Sequence, residues 1–548
     1  MNEIMIVIAV IIIICVLLNK VSSKFGIPVL LVFLLLGMAT NSLSIDTAAD
    51  TNLKGIERLC TVALIFIMFY GGFGTRLKSA ESVLLPSALL ATAGVAITAG
   101  CVGLLCHFLL NWAWLESLTM GAVISSTDAA SVFAILRSRR LGLKNHTAPM
   151  LEIESGSNDP MSYMLTIIMI SIFNGTASGL MMIKLLLAQF LLGAAIGFAI
   201  AYLLITLCNT KIKIGSTGFD SVLFVAIALA AYAIPSAIGG NGFLSTYIVG
   251  ILLGNKIDFN GKKSVVNFLD GVTSMMQILI FYLLGTLTDI PTLHTVALPS
   301  LAIFGFITFI ARPVAVFSVL GFWWKRYPIR QQILVSFVGL RGAASIVFAI
   351  LVINSSFSSS HDLFNIVFYI VLLSILLQGS LIPIAAKKLD MIDAGEDVMK
   401  TFSDFSEEAE MSFGTIEIGP DNPWKNQMVR DLKLPKNLLL ALLLRGNDKI
   451  VPKGHTTILA GDKIIICTKS YNNYSTDSIY QHRVSKYSDW AGHTIKEYPY
   501  KADRVIILIN RGNERIIPNG DTLLLPNDLL TILDRDSNTV NFEGQTIK

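Results

Sequence analysis

Long apolar runs separated by short polar loops fill the chain up to about residue 388. The runs have roughly the 17 to 25 residues that an α-helix needs to cross the hydrocarbon core of a membrane. Clusters of glycine, proline and charged residues end one run and begin the next. The pattern predicts thirteen membrane-spanning segments, numbered here in chain order, near residues 3–20, 27–44, 56–74, 84–110, 117–137, 148–174, 182–208, 219–238, 242–255, 266–288, 296–323, 331–353 and 363–386.

The basic residues of the loops predict how these segments are oriented. Loops after odd-numbered segments carry residues such as Lys20, Arg76 and Lys144, whereas loops after even-numbered segments carry few, chiefly Lys54 and Arg58. Because lysine and arginine concentrate in cytoplasmic loops, the N-terminus is predicted outside and the region after segment 13 in the cytoplasm. The regular alternation also favours an odd number of segments.

Beyond segment 13 the chain becomes polar and acidic, which indicates a linker into a soluble region. Within that region, residues 424–467 align with residues 490–533 without a gap, at an offset of 66 residues and with twelve of 44 positions identical. Short apolar strands alternating with Gly, Asn and Pro turns predict a small α+β unit that occurs twice. We therefore expect a transmembrane domain at 1–388, an acidic linker at 389–410, and two repeated units at 411–472 and 473–548.

Composition supports a polytopic membrane protein. Hydrophobic residues make up 53% of the 548 residues and charged residues 15%, and the net charge of +4 gives no support for nucleic-acid binding. The six cysteines lack CxxC spacing, so neither a disulfide framework nor a zinc site is expected. No phosphate-binding loop or nucleophile triad is present, and we expect a protein without cofactor that is not an enzyme. The first apolar run lacks a basic flank and a cleavage site, which indicates a first span rather than a removed signal.

Two carboxylates lie inside segments 5 and 6, where an acid needs a specific reason to be. Asp128 follows a run of small and hydroxylated residues, and Asp159 follows Asn158 and precedes Pro160. An acid at mid-bilayer depth costs roughly 2.5 to 3.5 kcal/mol on insertion scales and normally faces a pathway or cavity. An ion or proton site is therefore the first interpretation of this pair.

The neighbours of the two acids could complete an oxygen-lined site. The stretch around Thr127 can unwind, and Pro160 frees a carbonyl group one turn earlier. Ser155 and Asp159 are four residues apart and share one helical face. The Thr127 main-chain oxygen, Asp128, Ser155 and Asp159 would form the all-oxygen shell that hard cations prefer. The alternative is structural, with these polar groups capping a broken helix.

Glu154 is a third embedded acid, and it needs a basic partner. The candidates are Arg341 in segment 12 and Arg312 in segment 11, and the sequence does not choose between them. A structural ion pair is a better interpretation of Glu154 than a transport ligand. At the end of segment 4 and beyond, His107 and Glu116 are expected on a solvated face, and residues 239–242 are expected to form a tight turn.

At these residues the chain resembles bacterial monovalent cation/proton antiporters, specifically the potassium/proton branch. The resemblance implies a homodimer of thirteen-helix protomers in the bacterial inner membrane, built from two six-helix inverted repeats, segments 1–6 and 8–13, with segments 5 and 12 broken and crossing. It further implies that Asp159 binds the ion and the proton, that Asp128, Ser155 and the Thr127 main-chain oxygen complete the site, and that Glu154 is bridged to an arginine. The motifs are residues 25–28 (FGIP), 69–72 (FYGG), 126–130 (STDAA), 151–160 (LEIESGSNDP) and 339–343 (GLRGA).

Asn158 stands where electrogenic relatives have a second aspartate, which implies electroneutral exchange. One carboxylate neutralised alternately by a proton and by a monovalent cation carries the same charge in both crossings. The transported cation is expected to be K⁺ or Na⁺, and the sequence leaves both open.

The two soluble units resemble the C-terminal lobes of regulator-of-potassium-conductance (RCK, TrkA-C type) domains. The nucleotide-binding Rossmann lobe of complete regulators is missing, so regulation by NAD or ATP through it is not expected. Two alternatives follow for the lobes: they bind a cyclic dinucleotide such as cyclic di-AMP, or they only hold a dimer together. Two rival functions are a ligand-gated cation channel, which lacks a TVGYG-like filter here, and a membrane-anchored sensor with a degenerate transport domain.

Overall fold

The computed structural model describes most of the chain, in two compact units, residues 1–406 and 407–548. The described residues are 13–15, 29–42, 53–75, 77–138, 141–176, 179–210, 220–257, 262–288, 290–323, 325–355, 361–393, 411–419, 422–432, 434, 438–445, 448–469, 478–485, 490–497, 504–512, 514–516 and 518–534.

Helices occupy the predicted segments from the second to the thirteenth. Most of segment 1 lies outside the described residues, so the count of thirteen stays a prediction. Segments 4, 11 and 13 each contain one π-helical turn, and segments 5 and 12 are each broken into two helices. In order, the helices of these segments are Val29–Ser42, Leu53–Gly74, Leu84–Phe108 with a π turn at Leu90–Gly94, Trp114–Ile124 and Ala129–Ser138, Thr147–Phe173, Leu180–Thr210, Asp220–Ala237, Gly242–Lys256, Lys262–Thr286, Leu293–Leu320 with a π turn at Ile307–Ala311, Ile329–Phe337 and Ala343–Asn354, and Leu363–Lys388 with a π turn at Ser374–Gln378; a short helix, Leu77–Ala80, lies between segments 3 and 4.

Length and apolarity agree with a membrane domain. Six of the described helices are individually long and apolar enough to cross a membrane, and further apolar helices are shorter. Segment 6 is long enough but carries Glu152, Glu154 and Asp159, which lower its hydropathy. A membrane-embedded helix with three acids can be stable only if these acids are enclosed by other helices.

Glycines let two pairs of helices approach closely. A Cβ atom added at Gly254 of segment 9 would lie 2.2 Å from the Phe73 carbonyl oxygen of segment 3. A Cβ at Gly37 of segment 2 would lie 2.2 Å from the Tyr282 carbonyl oxygen of segment 10. Because helices in lipid associate through close van der Waals packing, small residues mark these two contacts as tight seams between helices.

A short pair of strands joins the end of segment 13 to the loop between segments 5 and 6. Strand β1 (Gly142–Leu143) pairs antiparallel with β2 (Ile392–Asp393). Beside them, Lys144 Nζ lies 3.0 Å from Asp390 Oδ1, and Lys144 N donates to the Met391 carbonyl at 2.9 Å. Met391 is buried. We call β1, β2 and the Lys144–Asp390 pair the clasp.

The second unit, residues 407–548, contains two four-stranded antiparallel sheets of the same topology. The first is ordered β3-β6-β4-β5 and the second β7-β10-β8-β9. Among the described residues of this unit, the remaining regular element is the 3₁₀ turn Val429–Asp431, so the helical part of the predicted α+β unit is limited to that turn there. The strands are β3 (Met411–Glu417), β4 (Leu438–Arg445), β5 (Asp448–Ile450), β6 (Lys463–Lys469), β7 (Ser478–Arg483), β8 (Arg504–Arg511), β9 (Glu514–Ile516) and β10 (Leu529–Asp534).

The same ion pair between a partly exposed arginine and a buried aspartate recurs in both sheets. Arg445 donates from Nε and Nη2 to the two oxygens of Asp462, each at 2.8 Å, and Arg511 does the same to Asp528 at 2.9 and 2.7 Å. The hydrogen bond from Arg445 lowers the pKa of Asp462. Burial of Asp528 favours its neutral form, but hydrogen bonds from Arg511 and from Leu525 N outweigh it, so its pKa also lies below the usual range. The two arginines are 66 residues apart, and so are the two aspartates, which matches the offset of the sequence repeat and confirms the duplication.

Candidate ion-binding site

The site is built on the breaks in segments 5 and 12. Residues 125–128 separate the two helices of segment 5, and residues 338–342 separate those of segment 12. Asp128 N donates to the Leu340 carbonyl oxygen at 2.8 Å, so the two breaks are hydrogen-bonded to each other. Irregular backbone at membrane depth is stable only when protein satisfies its polar groups, and each break serves the other in this way.

Arg341 holds the end of the first helix of segment 5. Its side chain is 1% exposed, and its Nη1 donates to the carbonyl oxygens of Ser125 at 2.9 Å and Ser126 at 2.8 Å. A cation is favourable there because the C-terminal carbonyls of a helix carry partial negative charge. The main-chain N–H of Arg341 donates to Ser374 Oγ at 3.0 Å, which connects the break to segment 13.

The Asp159 carboxylate lies against this broken stretch. Asp159 is 7% exposed, and Ser126 Oγ donates a hydrogen bond to its Oδ1. On the same helix, Ser155 Oγ donates to the Thr127 carbonyl oxygen at 2.7 Å. The structure thus brings Thr127, Ser155 and Asp159 together and adds the hydroxyl of Ser126. The sequence placed Ser126 in a hydroxyl-rich run beside the predicted site, but it did not show which of these hydroxyls points toward Asp159.

Asp128 occupies a different position in the same break. Its carboxylate accepts hydrogen bonds from Ser131 N at 3.2 Å and from Ser131 Oγ, so it caps the helix Ala129–Ser138. A Cβ atom at Gly342 would lie 2.5 Å from Asp128 Oδ2, which shows how closely the segment 12 break covers this carboxylate. The capping interpretation of Asp128 therefore describes its contacts in this structure, and a part in ion binding stays a prediction.

Asn158 connects segment 6 to the same break through its side chain. Asn158 Nδ2 donates to Thr127 Oγ1. Asn158 is fully buried, and in the described part of the chain its Oδ1 has no hydrogen-bond partner. Because the Asn158 side chain is a neutral amide, Asp159 is the one acid of the adjacent residues Asn158 and Asp159.

The structure selects Arg312 as the partner of Glu154. Arg312 Nη2 lies 2.6 Å from Glu154 Oε1. The Arg312 guanidinium also packs on the segment 12 break, because a Cβ at Gly339 would lie 2.6 Å from its Nε. The second candidate, Arg341, is committed to the carbonyls of segment 5 instead. A buried acid and base that neutralise each other fit the structural interpretation of Glu154.

Comparison with known proteins shows which family this chain belongs to. The family model described as sodium/hydrogen exchanger, transmembrane, matches residues 6–388. The chain belongs to the sodium/hydrogen exchanger family. The TrkA-C domain model matches twice, at residues 414–472 and 479–537, so both parts of the predicted resemblance are confirmed.

Several proteins that are similar to this chain are named as cation/proton antiporters. The K(+)/H(+) antiporter NhaP of Alkalimonas amylolytica is 32% identical over 473 residues, which cover 85% of this chain and 81% of that protein. The K(+)/H(+) antiporter NhaP2 of Shewanella sp. strain MR-4 is 35% identical over 460 residues, 82% of this chain and 78% of that one. The solved structure of the sodium proton antiporter MjNhaP1 from Methanocaldococcus jannaschii at pH 8 matches in fold, with a TM-score of 0.60 and 22% identity, covering 69% of this chain and 99% of that one.

Sequence reasoning missed one residue that is hydrogen-bonded to the backbone of the site. Asn241 lies in the turn at residues 239–242, and its Nδ2 donates to the Pro160 carbonyl oxygen at 2.8 Å, directly beside Asp159. Its Oδ1 accepts from Leu244 N at 3.0 Å and so caps segment 9. An asparagine just before an apolar helix is a recognisable N-cap signal, but its second bond depends on which helix lies next to it.

The expectation of a solvated Glu116 is wrong. In this exchanger Glu116 is 4% exposed and accepts a hydrogen bond from His361 N at 3.0 Å, with His361 Nδ1 2.9 Å away. His107 is half-buried and stacks on Trp114, with ring centroids 3.8 Å apart. The sequence could not show this because His361 lies in the loop before segment 13, far along the chain.

Among the described residues, no group of three or more His, Cys, Asp or Glu side chains could hold a metal ion.

Proposed function

We propose that this exchanger is an electroneutral antiporter that moves K⁺ or Na⁺ against H⁺ by alternating access, with Asp159 binding the proton and the cation in turn. The observation that carries the proposal is the buried Asp159 carboxylate, whose hydrogen-bond partner is a neutral hydroxyl. The two buried guanidinium groups nearby are committed elsewhere, Arg312 to Glu154 and Arg341 to the segment 5 carbonyls. Asp159 is thus left to a mobile counter-charge, a proton or a cation.

The surrounding oxygens suit a hard monovalent cation. The Thr127 carbonyl oxygen accepts a hydrogen bond from Ser155 Oγ at 2.7 Å, and Ser155 lies one helical turn before Asp159. Oxygen ligands of this kind replace the hydration shell of such cations. Asp128 is the second acid at the break, and we propose that its charge contributes to binding while its oxygens cap the helix. Potassium is favoured over sodium because two relatives above 30% identity are named K(+)/H(+) antiporters.

The proposed mechanism needs two halves that exchange roles, and several features support inverted repeats of segments 1–6 and 8–13. Segments 5 and 12 are both broken, and segments 4 and 11 both contain a π turn. In such repeats segment 2 corresponds to segment 9 and segment 3 to segment 10. The tight seam between segments 3 and 9 is therefore the counterpart of the one between segments 2 and 10. Rocking of such repeats around a fixed site is a general route to alternating access. We further propose a homodimer of thirteen-helix protomers in a bacterial inner membrane, with the N-terminus outside.

We propose that the soluble part regulates exchange through the clasp. The proposed boundaries are an exchanger domain at 1–388, a linker at 389–410, and lobes at 411–472 and 473–548. The clasp ties the start of the linker to the loop between segments 5 and 6, the two segments that carry Thr127 and Asp159. A lobe arrangement that favours one transport state would thereby bias the site. Binding of a cyclic dinucleotide to the lobes and simple dimer assembly are the two alternatives for what sets that arrangement.

Transport by purified protein in proteoliposomes tests the proposal. The wild type is expected to move protons in response to K⁺ or Na⁺, and Asp159→Asn is expected to abolish this while remaining folded. Asp270→Asn, which changes an acid of segment 10, is the matched control and should retain exchange. Cation flux without proton coupling in the wild type would indicate the channel, and no flux in folded protein would indicate the sensor. Robust exchange by Asp159→Asn would remove that residue from its role.

A further inference from the structure

We propose that Ser126 is a positioning residue that sets how strongly protons compete with the cation at Asp159. The inference rests on the proposed antiport function and deepens it, because it assigns the proton–cation balance to one hydroxyl. The observation is the hydrogen bond from Ser126 Oγ to Asp159 Oδ1 inside the break of segment 5.

Ser126 is held in place by its own backbone. Its side chain is 1% exposed, and its carbonyl oxygen accepts from Arg341 Nη1 at 2.8 Å. The arginine therefore fixes the peptide while the hydroxyl points to the acid. A serine hydroxyl has one hydrogen to donate, and here it is given to Asp159.

A hydrogen bond donated to a carboxylate stabilises its ionised form over its protonated form. The ionised form is the one that binds a cation, so the Ser126 hydroxyl favours release of the proton and entry of the cation. Without it, the same carboxyl group would hold its proton to a higher pH. Because a hydrogen bond to a charged group is substantially stronger than one between neutral groups, the effect on proton affinity is expected to be about tenfold.

The charged groups around the site have partners other than Asp159. On the elements packed here the charged and titratable groups are Asp128 of segment 5, Glu154 of segment 6, Tyr247 of segment 9, Arg312 of segment 11 and Arg341 of segment 12. Asp128 is bonded to Ser131, and Glu154 is paired with Arg312. Arg341 is bonded to the segment 5 carbonyls, and the Tyr247 ring packs on Gly156. The hydrogen bond to the Asp159 carboxylate comes instead from the neutral Ser126 hydroxyl.

Ser125 provides a matched control one residue earlier. It is equally buried, and its carbonyl oxygen is also bonded to Arg341 Nη1, at 2.9 Å. Its hydroxyl, however, donates to the Ala122 carbonyl at 2.8 Å. Ser125→Ala therefore removes a hydroxyl from the same break without removing a bond to Asp159.

The experiment measures exchange rates of the full chain in proteoliposomes at several K⁺ concentrations from about pH 6 to pH 9. Ser126→Ala is expected to shift the pH of half-maximal exchange upward by about one unit and to raise the apparent KM for K⁺ at low pH, with the maximal rate at high pH retained. Ser126→Thr keeps a hydroxyl and should restore the wild-type profile. Ser126→Cys has a weak donor and should fall between, and Ser125→Ala should not shift the profile.

Four outcomes overturn the inference. A Ser126→Ala profile that coincides with wild type in an active protein shows that the hydroxyl does not set the balance. Equal shifts in Ser125→Ala and Ser126→Ala show a general effect of loosening the break. Should Ser126→Ala fail to fold, a wild-type profile for Ser126→Cys decides against the proposal in the same way. Failure of the wild-type protein to exchange K⁺ or Na⁺ for H⁺ would overturn the proposed function itself and this inference with it.

Discussion

Arg312 Nη2 lies 2.6 Å from Glu154 Oε1, and the two side chains are 2% and 1% exposed. The pair connects segments 6 and 11 beside the break of segment 12. Because each charge is buried, each depends on the other for neutralisation.

Loss of one member of this pair should therefore cost more than loss of both. Glu154→Gln or Arg312→Gln alone is expected to destabilise the protein by about 3 to 5 kcal/mol, because the remaining charge stays buried and unpaired. The double variant should be more stable than either single variant. Thermal unfolding of detergent-purified protein measures this, and Arg326→Ala, a change at an exposed position, serves as control. Additive losses in the double variant would show that the two charges are not coupled.

Substitutions at Asp128 separate capping from ion binding. Asparagine caps a helix about as well as aspartate, and the charge itself contributes only about 0.3 to 1 kcal/mol at a helix N-terminus. Asp128→Asn should therefore fold normally yet lose most exchange, because one of the two acids of the site is gone. Ser131→Ala, which removes a capping partner but no charge, should keep exchange at a modest cost in stability. Wild-type exchange by Asp128→Asn would reduce Asp128 to a cap.

Electroneutral exchange predicts that membrane potential does not alter the rate. A net charge moved across the full membrane would contribute about 2.3 kcal/mol per 100 mV. Proteoliposomes with equal K⁺ on both sides and a potential set by a gradient of the permeant anion thiocyanate should show the same rate at either polarity. Asn158→Asp adds a second acid next to Asp159 and is the informative comparison, expected to introduce potential dependence. Strong stimulation of the wild type by potential would contradict one-for-one exchange.

Two truncations separate the clasp from the lobes. A chain ending at residue 394 keeps β2, Met391 and Asp390, whereas one ending at Lys388 loses all three. The longer truncation should retain exchange but lose dependence on cytoplasmic ligands or pH. The shorter one should in addition unfold at a lower temperature, because it exposes the buried site of Met391. Identical regulation in the full chain and in the longer truncation would show that the lobes do not regulate exchange and serve only in dimer assembly.

The clasp itself should not be the pH sensor. The hydrogen bond from Lys144 lowers the pKa of Asp390 below its usual range. The stabilisation is therefore fully present above the ordinary carboxyl pKa of about 4 and is lost only as the pH falls through the lowered value. Between neutral and mildly acidic pH, Lys144→Ala should alter regulation by the same factor at every pH. A Lys144→Ala effect confined to one part of that range would contradict this assignment.

Much of the architecture followed from the chain itself. Apolar runs of membrane-spanning length located the described helices because a segment in lipid must satisfy its backbone internally and present apolar side chains. The repeat at a fixed offset gave two sheets of the same order, with Arg445 and Arg511 in equivalent ion pairs. The cost of burying an acid singled out Asp128 and Asp159 without any knowledge of their neighbours.

What the tertiary structure decided were choices between chemically equivalent groups. Arg312 and Arg341 are both embedded arginines, and only the packing of segments 6, 11 and 12 gives Glu154 to the first and the segment 5 carbonyls to the second. Ser125 and Ser126 are adjacent hydroxyls, and only the unwound backbone turns the second toward Asp159. Burial of an acid is visible in its own segment, but the group that satisfies it comes from another helix, and sequence spacing carries no information about which helices lie side by side.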